Sequence, residues 1–488
     1  MKKFTALFII VIVIMGFSLF ACGDSGNAET NQPKISESGN NGENANDADS
    51  EKIEENDSAD NLPDDLDYGG YTFNIFTREN NTFYNYVVEE ETGEIINDAV
   101  YKRTRNVEER LNIILKETTS NDANAPRALM LAGDDAYDMY NARCTHALTF
   151  WLESLTVELP GLPYIDLSKL YWNKSANESL SLLNHQYTAI GAANIGSYDF
   201  IFTLLFNKKM IQDLGLQSPY ALVHSGEWTI NKMYEMMTAA GSDLNGDGIY
   251  DINDSYGYAS GLNVTLPAFW VGSGLFSVTK DSDDVPYFSA GDEKFIDVFN
   301  KVFEITWDSD AWFKKSSGDG NVPSSSVTLF TENRALFIDT QVFDINRLRS
   351  METDFGIIPY PKYDARQENY HVRFGFYDTF IVPKSNPDLL RTSAVIEALN
   401  SESYKTVVPE YYERCLKTRN SRDEESEAML DMIFSNLVVD LGDTVWADRI
   451  RDGVFTVMFR ANNRNIASKL ESMANSIQKD IDKILEME

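Results

Sequence analysis

Residues 71–78, YTFNIFTR, and residues 93–117, GEIINDAVYKRTRNVEERLNIILKE, decide the class of fold. The first run alternates apolar and polar side chains, the two-residue period of a strand with one buried face. In the second, Val100, Thr104, Val107 and Leu111 lie along one side of a helix expected from Asn97 to Leu111. Asn112 to Lys116 then reads as another strand. A strand, a long helix and a strand make a βαβ unit, with a right-handed crossover. A third unit ends in AYDMYNARCTH (Ala136–His146), where apolar strand residues give way to polar ones. This alternation predicts α/β layers.

Outward from that unit, the chain start is a separate object. Lys2 and Lys3 precede an apolar run that closes on Leu19-Phe20-Ala21-Cys22. The pattern resembles a bacterial lipoprotein signal, residues 1–21, cleaved before Cys22, which would then carry lipid. The alternative is an uncleaved membrane helix, since Phe4 to Ala21 is nearly long enough to span. Both readings place the remainder outside the cytoplasmic membrane. Residues 22–67 are acidic and offer only Ile53, Leu62 and Leu66 as large aliphatics, so a disordered tether is expected there. Over its 488 residues the chain has 42 Lys+Arg against 76 Asp+Glu, a formal net charge of -34. Such a surface repels nucleic acid and anionic lipid, which removes both as partners. Cys144 and Cys415 read as buried free thiols, although a disulfide is compatible with that compartment. The four histidines show no metal-ligand spacing, which argues against a zinc enzyme.

Further along, a strand is expected over Phe200 to Asn207, and a helix after Trp228 with Thr229 as its cap. Glu332–Asp344 and Thr353–Tyr370 read as strands running into polar or aromatic loops. In the helical C-terminal third, Ile466, Leu470, Met473, Ile477, Ile481 and Ile484 form one apolar face.

Five segments in this order resemble the extracellular solute-binding proteins of bacterial ABC importers, family 1, the group that includes maltose-binding protein. They are LFNKKMIQDLGL (Leu205–Leu216), GEWTINKMYEMM (Gly226–Met237), NRALFIDT (Asn333–Thr340), DFGIIPYPKYD (Asp354–Asp364) and YYERCLKTRNSRDEESEAML (Tyr411–Leu430). The resemblance implies a two-lobed, type II periplasmic-binding fold, with a ligand held between two α/β lobes joined by crossing strands. Lobe 1 is expected over residues 68–194 and 358–404, and lobe 2 over 195–357 and 405–488. The resemblance also implies a monomer that hands its ligand to the transmembrane subunits of an ABC permease.

Sugar sites pair aromatic faces, which stack on a pyranose ring, with planar polar groups that bond hydroxyls. In loops after strands, the candidates are Arg143 and His146, Tyr198 and Asp199 at the first crossing, Trp270 in LPAFWVGSG, Gln341, and Tyr377 with Asp378 in FGFYDTF. Where the maltose-binding group carries a stacking tryptophan, this chain reads Gln341-Val342-Phe343, which departs from a maltodextrin site. Trp228 reads as a core anchor, and Trp172, Trp307 and Trp312 as core more than cleft.

The stretch DLNGDGIYDIND (Asp243–Asp254) matches the 1-3-5-7-9-12 ligand order of a calcium loop, with Gly248 at position 6. The expected ligands are Asp243, Asn245, Asp247, the Ile249 carbonyl, Asp251 and Asp254, holding a structural Ca2+. The residues after it, SYGYASGLN, are poor helix, so this is no EF-hand pair. An acidic turn built on Asx bonds is the alternative.

The expected function is capture of a sugar or oligosaccharide by a lipid-anchored receptor on the extracellular face of the membrane, without chemistry. A surface glycan-active enzyme of glycoside-hydrolase type, or a ligand-sensing lipoprotein, is the alternative; paired carboxylates would be hidden among so many acids. No G-x-S-x-G, H-E-x-x-H or G-x-x-x-x-G-K-[ST] is present.

Overall fold

The structure is a computed structural model that describes residues 58–79, 86–122, 124–314, 322–348, 351–417 and 424–486. The signal segment, Cys22, the tether up to residue 57 and the Cys415 side chain lie outside the described residues. Eight strands form two four-stranded sheets: β1 (Tyr71–Arg78), β2 (Ile113–Ser120), β3 (Met139–Arg143), β4 (Phe202–Asn207), β5 (Tyr256–Ala259), β6 (Ala335–Gln341), β7 (Phe355–Ile358) and β8 (Asp378–Ile381).

The first sheet has the order β8-β3-β1-β2. β1 runs parallel to β2, with Tyr71 opposite Ile113, and parallel to β3, with Ile75 opposite Met139. The helix between β1 and β2, Ile95–Leu111, starts two residues before the sequence pattern predicts, because the Glu94 side chain caps it by accepting from the Asn97 N–H. It buries Val100, Thr104, Val107 and Leu111 and ends on Asn112, whose φ of 46° stops the helix. Burying each aliphatic contributes about 1.5–3 kcal/mol. β2 continues past Lys116 to Ser120, because every residue of β1 finds a partner along it.

The second sheet has the order β5-β6-β4-β7. β4 is antiparallel to β6, with Phe202 opposite Gln341, and to β7, while β5 is parallel to β6. Trp228 anchors this half: it is fully buried, and its indole N–H donates to the Pro359 carbonyl at 2.9 Å. Thr229 caps the helix Ile230–Ala240 as expected. Trp172 and Trp312 are buried, and Trp307 packs against the core. The C-terminal helix Ala467–Leu485 buries Leu470, Met473, Ile477, Ile481 and Ile484, the face its spacing predicts.

Three segments join the sheets. The first leaves the first sheet at Ala189, which bridges Phe380, passes through a 3-10 helix (Ala192–Phe200) and enters β4; the strand therefore starts at Phe202, after the helix. Gly191 is required on this path, since a Cβ there would lie 2.1 Å from the Asn400 side-chain oxygen. The second runs from β7 to β8. The third is the helix Leu389–Lys417, whose Val395 and Leu399 pack with Phe73 and Ile75, and whose Val407 and Tyr411 pack with Ile338 and Ile357.

The end of the expected tether is corrected. Leu62 is 7 % exposed in the core of the first sheet, and Asp60 pairs with Arg110 at 2.7 Å. The folded part therefore includes residues 58–67: Leu62 finds an apolar pocket that a count of aliphatics does not register. Cys144 is a free, buried thiol, as expected, and burial pushes its pKa up to about 11.

Glu397, 1 % exposed on the long helix, accepts from the Tyr171 hydroxyl and the Trp172 indole. Burial raises its pKa from 4.5 to about 7, against those two bonds. A raised carboxyl binds its proton more tightly when folded, so this stabilising term is present below pH 4.5 and lost as pH rises through about 7. The melting temperature of the parent relative to Glu397→Gln is therefore expected to fall across that window. Circular dichroism melts of both chains check it; a difference that stays constant with pH contradicts it.

Candidate functional site

The carboxyl ends of β1 and β3 and the start of β8 share one edge of the first sheet, with Asp378 directly opposite Arg143. In the second sheet the carboxyl ends of β5, β6 and β7 share an edge with the start of β4. Both edges meet the first joining segment: the Asp378 N–H donates to the Ser197 hydroxyl at 3.0 Å, and the Val342 N–H to the Ile201 carbonyl at 3.1 Å. Strand ends that converge on a crossing segment are where ligands sit in such α/β folds.

At the first edge Asp378 faces Arg78, the last residue of β1, at 3.4 Å. Burial raises the Asp378 pKa, opposed by Arg78 and then Arg143. His146, in the first turn of the helix Cys144–Leu152, has its pKa lowered by burial and further by Arg143, while the exposed Asp448 pulls the other way. Of the sequence candidates, Arg143, His146 and Asp378 are thus brought together. Gln341, the last residue of β6, ends the other edge; it is 8 % exposed, and its amide nitrogen has no hydrogen-bond partner among the described residues.

Beneath Arg143 lies Phe376, on the second joining segment. Three guanidinium groups lie against its ring: Arg451 at 4.7 Å, and Arg143 and Arg373 at 5.6 Å each. Arg373 makes two bonds to Asp443, at 2.6 and 2.8 Å, and Arg451 reaches the same carboxylate at 3.2 Å. Gly375 admits this pairing, because a Cβ there would lie 2.6 Å from the Asp443 carboxylate. Arg78, Phe376, Arg373, Asp443 and Arg451 were not among the sequence candidates. Only Arg78 left a signal, as a charged residue ending an apolar strand.

The other candidates stand elsewhere. Tyr377 is buried against Phe374, on the opposite side of the chain from Asp378, as strand alternation requires. Asp199 is buried and accepts from the Tyr411 hydroxyl at 2.8 Å, tying the first joining segment to the long helix. Tyr198 packs among Phe374, Phe434 and Tyr411. Trp270 is corrected as a ligand-facing residue: it is 1 % exposed within the helix Thr265–Gly272, every residue of which is buried, and its indole N–H donates to Asp440. A helix apolar on all sides belongs inside the protein.

The acidic loop is held by its own backbone. Asp243 accepts from the Gly246 and Gly248 N–H groups, Asp247 from Ile249, Asp251 from Asn253, and the buried Asp254 from Leu244 and Asp251. Asn245 donates to Asp247, and Ile249 is exposed. Among the described residues no three His, Cys, Asp or Glu are grouped as a metal-ligand set. The loop leads into β5, a strand rather than a second helix.

The chain is similar in fold to the sugar-binding protein MalE of Xanthomonas citri, at 13% identity and a TM-score of 0.59, over 86% of this chain and 100% of that one. It is similar too to an ABC substrate-binding protein of Listeria monocytogenes in complex with cycloalternan (12% identity, TM-score 0.54, 84% and 98% covered). The GacH receptor of Streptomyces glaucescens, solved with acarbose, shares 12% identity at a TM-score of 0.52, with 85% and 99% covered. No family model and no curated protein matches the chain. The fold is the two-lobed, type II fold of solute-binding proteins.

Asp443 and Arg373 are each 1 % exposed. Removing one partner of such a pair leaves an uncompensated buried charge, at a cost of about 3–5 kcal/mol. Asp443→Ala is expected to lose about that much stability in urea unfolding, because it strands the buried Arg373, while Arg451 keeps Asp452. An unchanged midpoint contradicts the assignment.

Proposed function

We propose that this chain is an extracellular receptor, lipid-anchored at Cys22, that captures a carbohydrate between two lobes and delivers it to an ABC import permease without transforming it. The lobes comprise residues 68–194 with 358–404, and 195–357 with 405–488. The observation that carries this reading is the convergence of both strand-end edges on one joining segment, where Arg78, Arg143, His146 and Asp378 meet. In its favour, the structural neighbours are sugar-binding proteins, one holding cycloalternan and another acarbose. Among the described residues no helix is long and apolar enough to cross a membrane.

The chemistry suits an uncharged polyol. Arg78 stands beside Asp378, and Arg451, over the Phe376 ring, pairs with Asp443 and with Asp452, so donors stand next to acceptors. Sugar hydroxyls need both at once, and a ring supplies the stacking face. Arg143 has no carboxylate within ion-pair distance among the described residues and keeps its donors for a ligand.

Calcium at Asp243–Asp254 is part of the proposal as a structural ion. Its support is the order of oxygen ligands and the φ of 77° at Gly248, the turn that such a loop needs.

Two outcomes check this reading. A panel of mono- and oligosaccharides is expected to raise the melting temperature of the parent chain, and Arg143→Ala to shrink that rise while unfolding within about 1 kcal/mol of the parent. A rise with amino acids or peptides and none with carbohydrates contradicts it. For the loop, a chelator is expected to lower the melting temperature of the parent and not that of Asp247→Ala; equal responses remove calcium.

A further inference from the structure

On the side of the joining segments where the long helix packs, the structure holds a cavity of about 460 Å³. Its volume falls within the roughly 300–1,000 Å³ of small-molecule sites. None of its lining residues belongs to the strand-end cluster around Arg143. Tyr404, Val408 and Tyr412, spaced four apart, form one wall from a single face of the helix Leu389–Lys417. Tyr198 from the 3-10 helix, Trp172 and Phe434 supply the facing rings.

The rings are held in place by their neighbours. The Trp172 indole N–H is bound to Glu397, and Tyr198 is wedged between Phe374 and Phe434, with its hydroxyl accepting from the Asn173 amide at 3.1 Å. At the rim Lys174 and Glu178 are exposed beside Ser175 and Asn173. Aromatic walls with amide, hydroxyl, ammonium and carboxylate groups at the mouth are the surroundings of a ring that is apolar on its faces and hydroxylated at its edge. An acyl chain would make no hydrogen bonds with these groups, which would stay with water at the mouth.

We propose that this cavity is a second binding site, separate from the strand-end cleft, for a carbohydrate of one or two pyranose rings. The walls come from the first and third joining segments, so the occupant sits at the hinge side of the fold. The proposal does not require that the cleft bind sugar.

The test uses the folded chain with D-glucose, D-galactose, maltose and cellobiose as probes, followed by ligand-observed saturation-transfer NMR and titration calorimetry. Two variants address the cavity. Tyr412→Ala removes a stacking face, and Ser435→Trp fills the space from an exposed position without taking away packing. At least one probe is expected to bind the Arg143→Ala chain and to weaken about tenfold or more in both cavity variants, the loss of one stacked ring. Melting curves check that the variants fold, and Ser435→Trp decides if Tyr412→Ala does not. Three results overturn the proposal: no probe binds, every probe is lost with Arg143→Ala alone, or binding is indifferent to Ser435→Trp. Binding lost with Arg143→Ala and kept in both cavity variants rejects the cavity and leaves the cleft reading standing. Binding lost only in the cavity variants does the reverse.

Discussion

A carboxylate can stay out of water only when its charge is matched, and Asp443 is matched twice, by Arg373 and by Arg451. The pairing fastens two stretches of chain that are 70 residues apart at Arg373. One is the segment that returns to the first sheet, and the other leads into the C-terminal helices. Between them lies Phe376, faced by both arginines and by Arg143. The position of that ring, and so the floor of the candidate site, depends on the buried charge beneath it. Such a pair adds little net stability, because desolvation offsets much of the attraction. Its contribution is geometric: neither segment can shift without stranding a charge.

The second constraint is register. Asp378 lies opposite Arg143 because β8 pairs antiparallel with β3, and β8 reaches that register only after the chain has built the whole second sheet. A slip of one residue would turn Asp378 into the core and bring Tyr377 out. The Ser197 hydroxyl, accepting from the Asp378 N–H, ties this register to the segment that starts the second sheet. The strand-end edges are thereby coupled through a helix of nine residues. Motion between the lobes of a binding protein is hinge motion about such segments.

Much of the fold was legible in the sequence. Alternation in YTFNIFTR, the helical spacing of Val100, Thr104, Val107 and Leu111, and the Thr229 cap are local rules, and the structure follows them within a few residues. The errors came where tertiary contacts overrode composition. Leu62 looked too isolated to fold, yet the first sheet offers it a pocket. Trp270 read as a loop residue beside a glycine, yet the helix around it is buried on every side. The candidate cluster was half legible. Arg143, His146 and Asp378 follow from the rule that polar residues after strands serve ligands, whereas Arg373, Asp443 and Arg451 look like any other charges in a chain of 76 acids.

By itself the sequence determined the α/β class and the buried faces of its strongly periodic elements, such as the helices Ile95–Leu111 and Ala467–Leu485, because periodicity acts over a few neighbouring residues. Only the tertiary structure decided which charges share a place. Arg78 and Asp378 lie 300 residues apart along the chain, and nothing local records their pairing. The same holds for the tyrosine-walled cavity, whose rings come from segments that are distant along the chain. The pattern of a strand or helix is written into each stretch by its own solvation. A site is a coincidence of several stretches, fixed by sheet register and by the cost of leaving a buried charge alone.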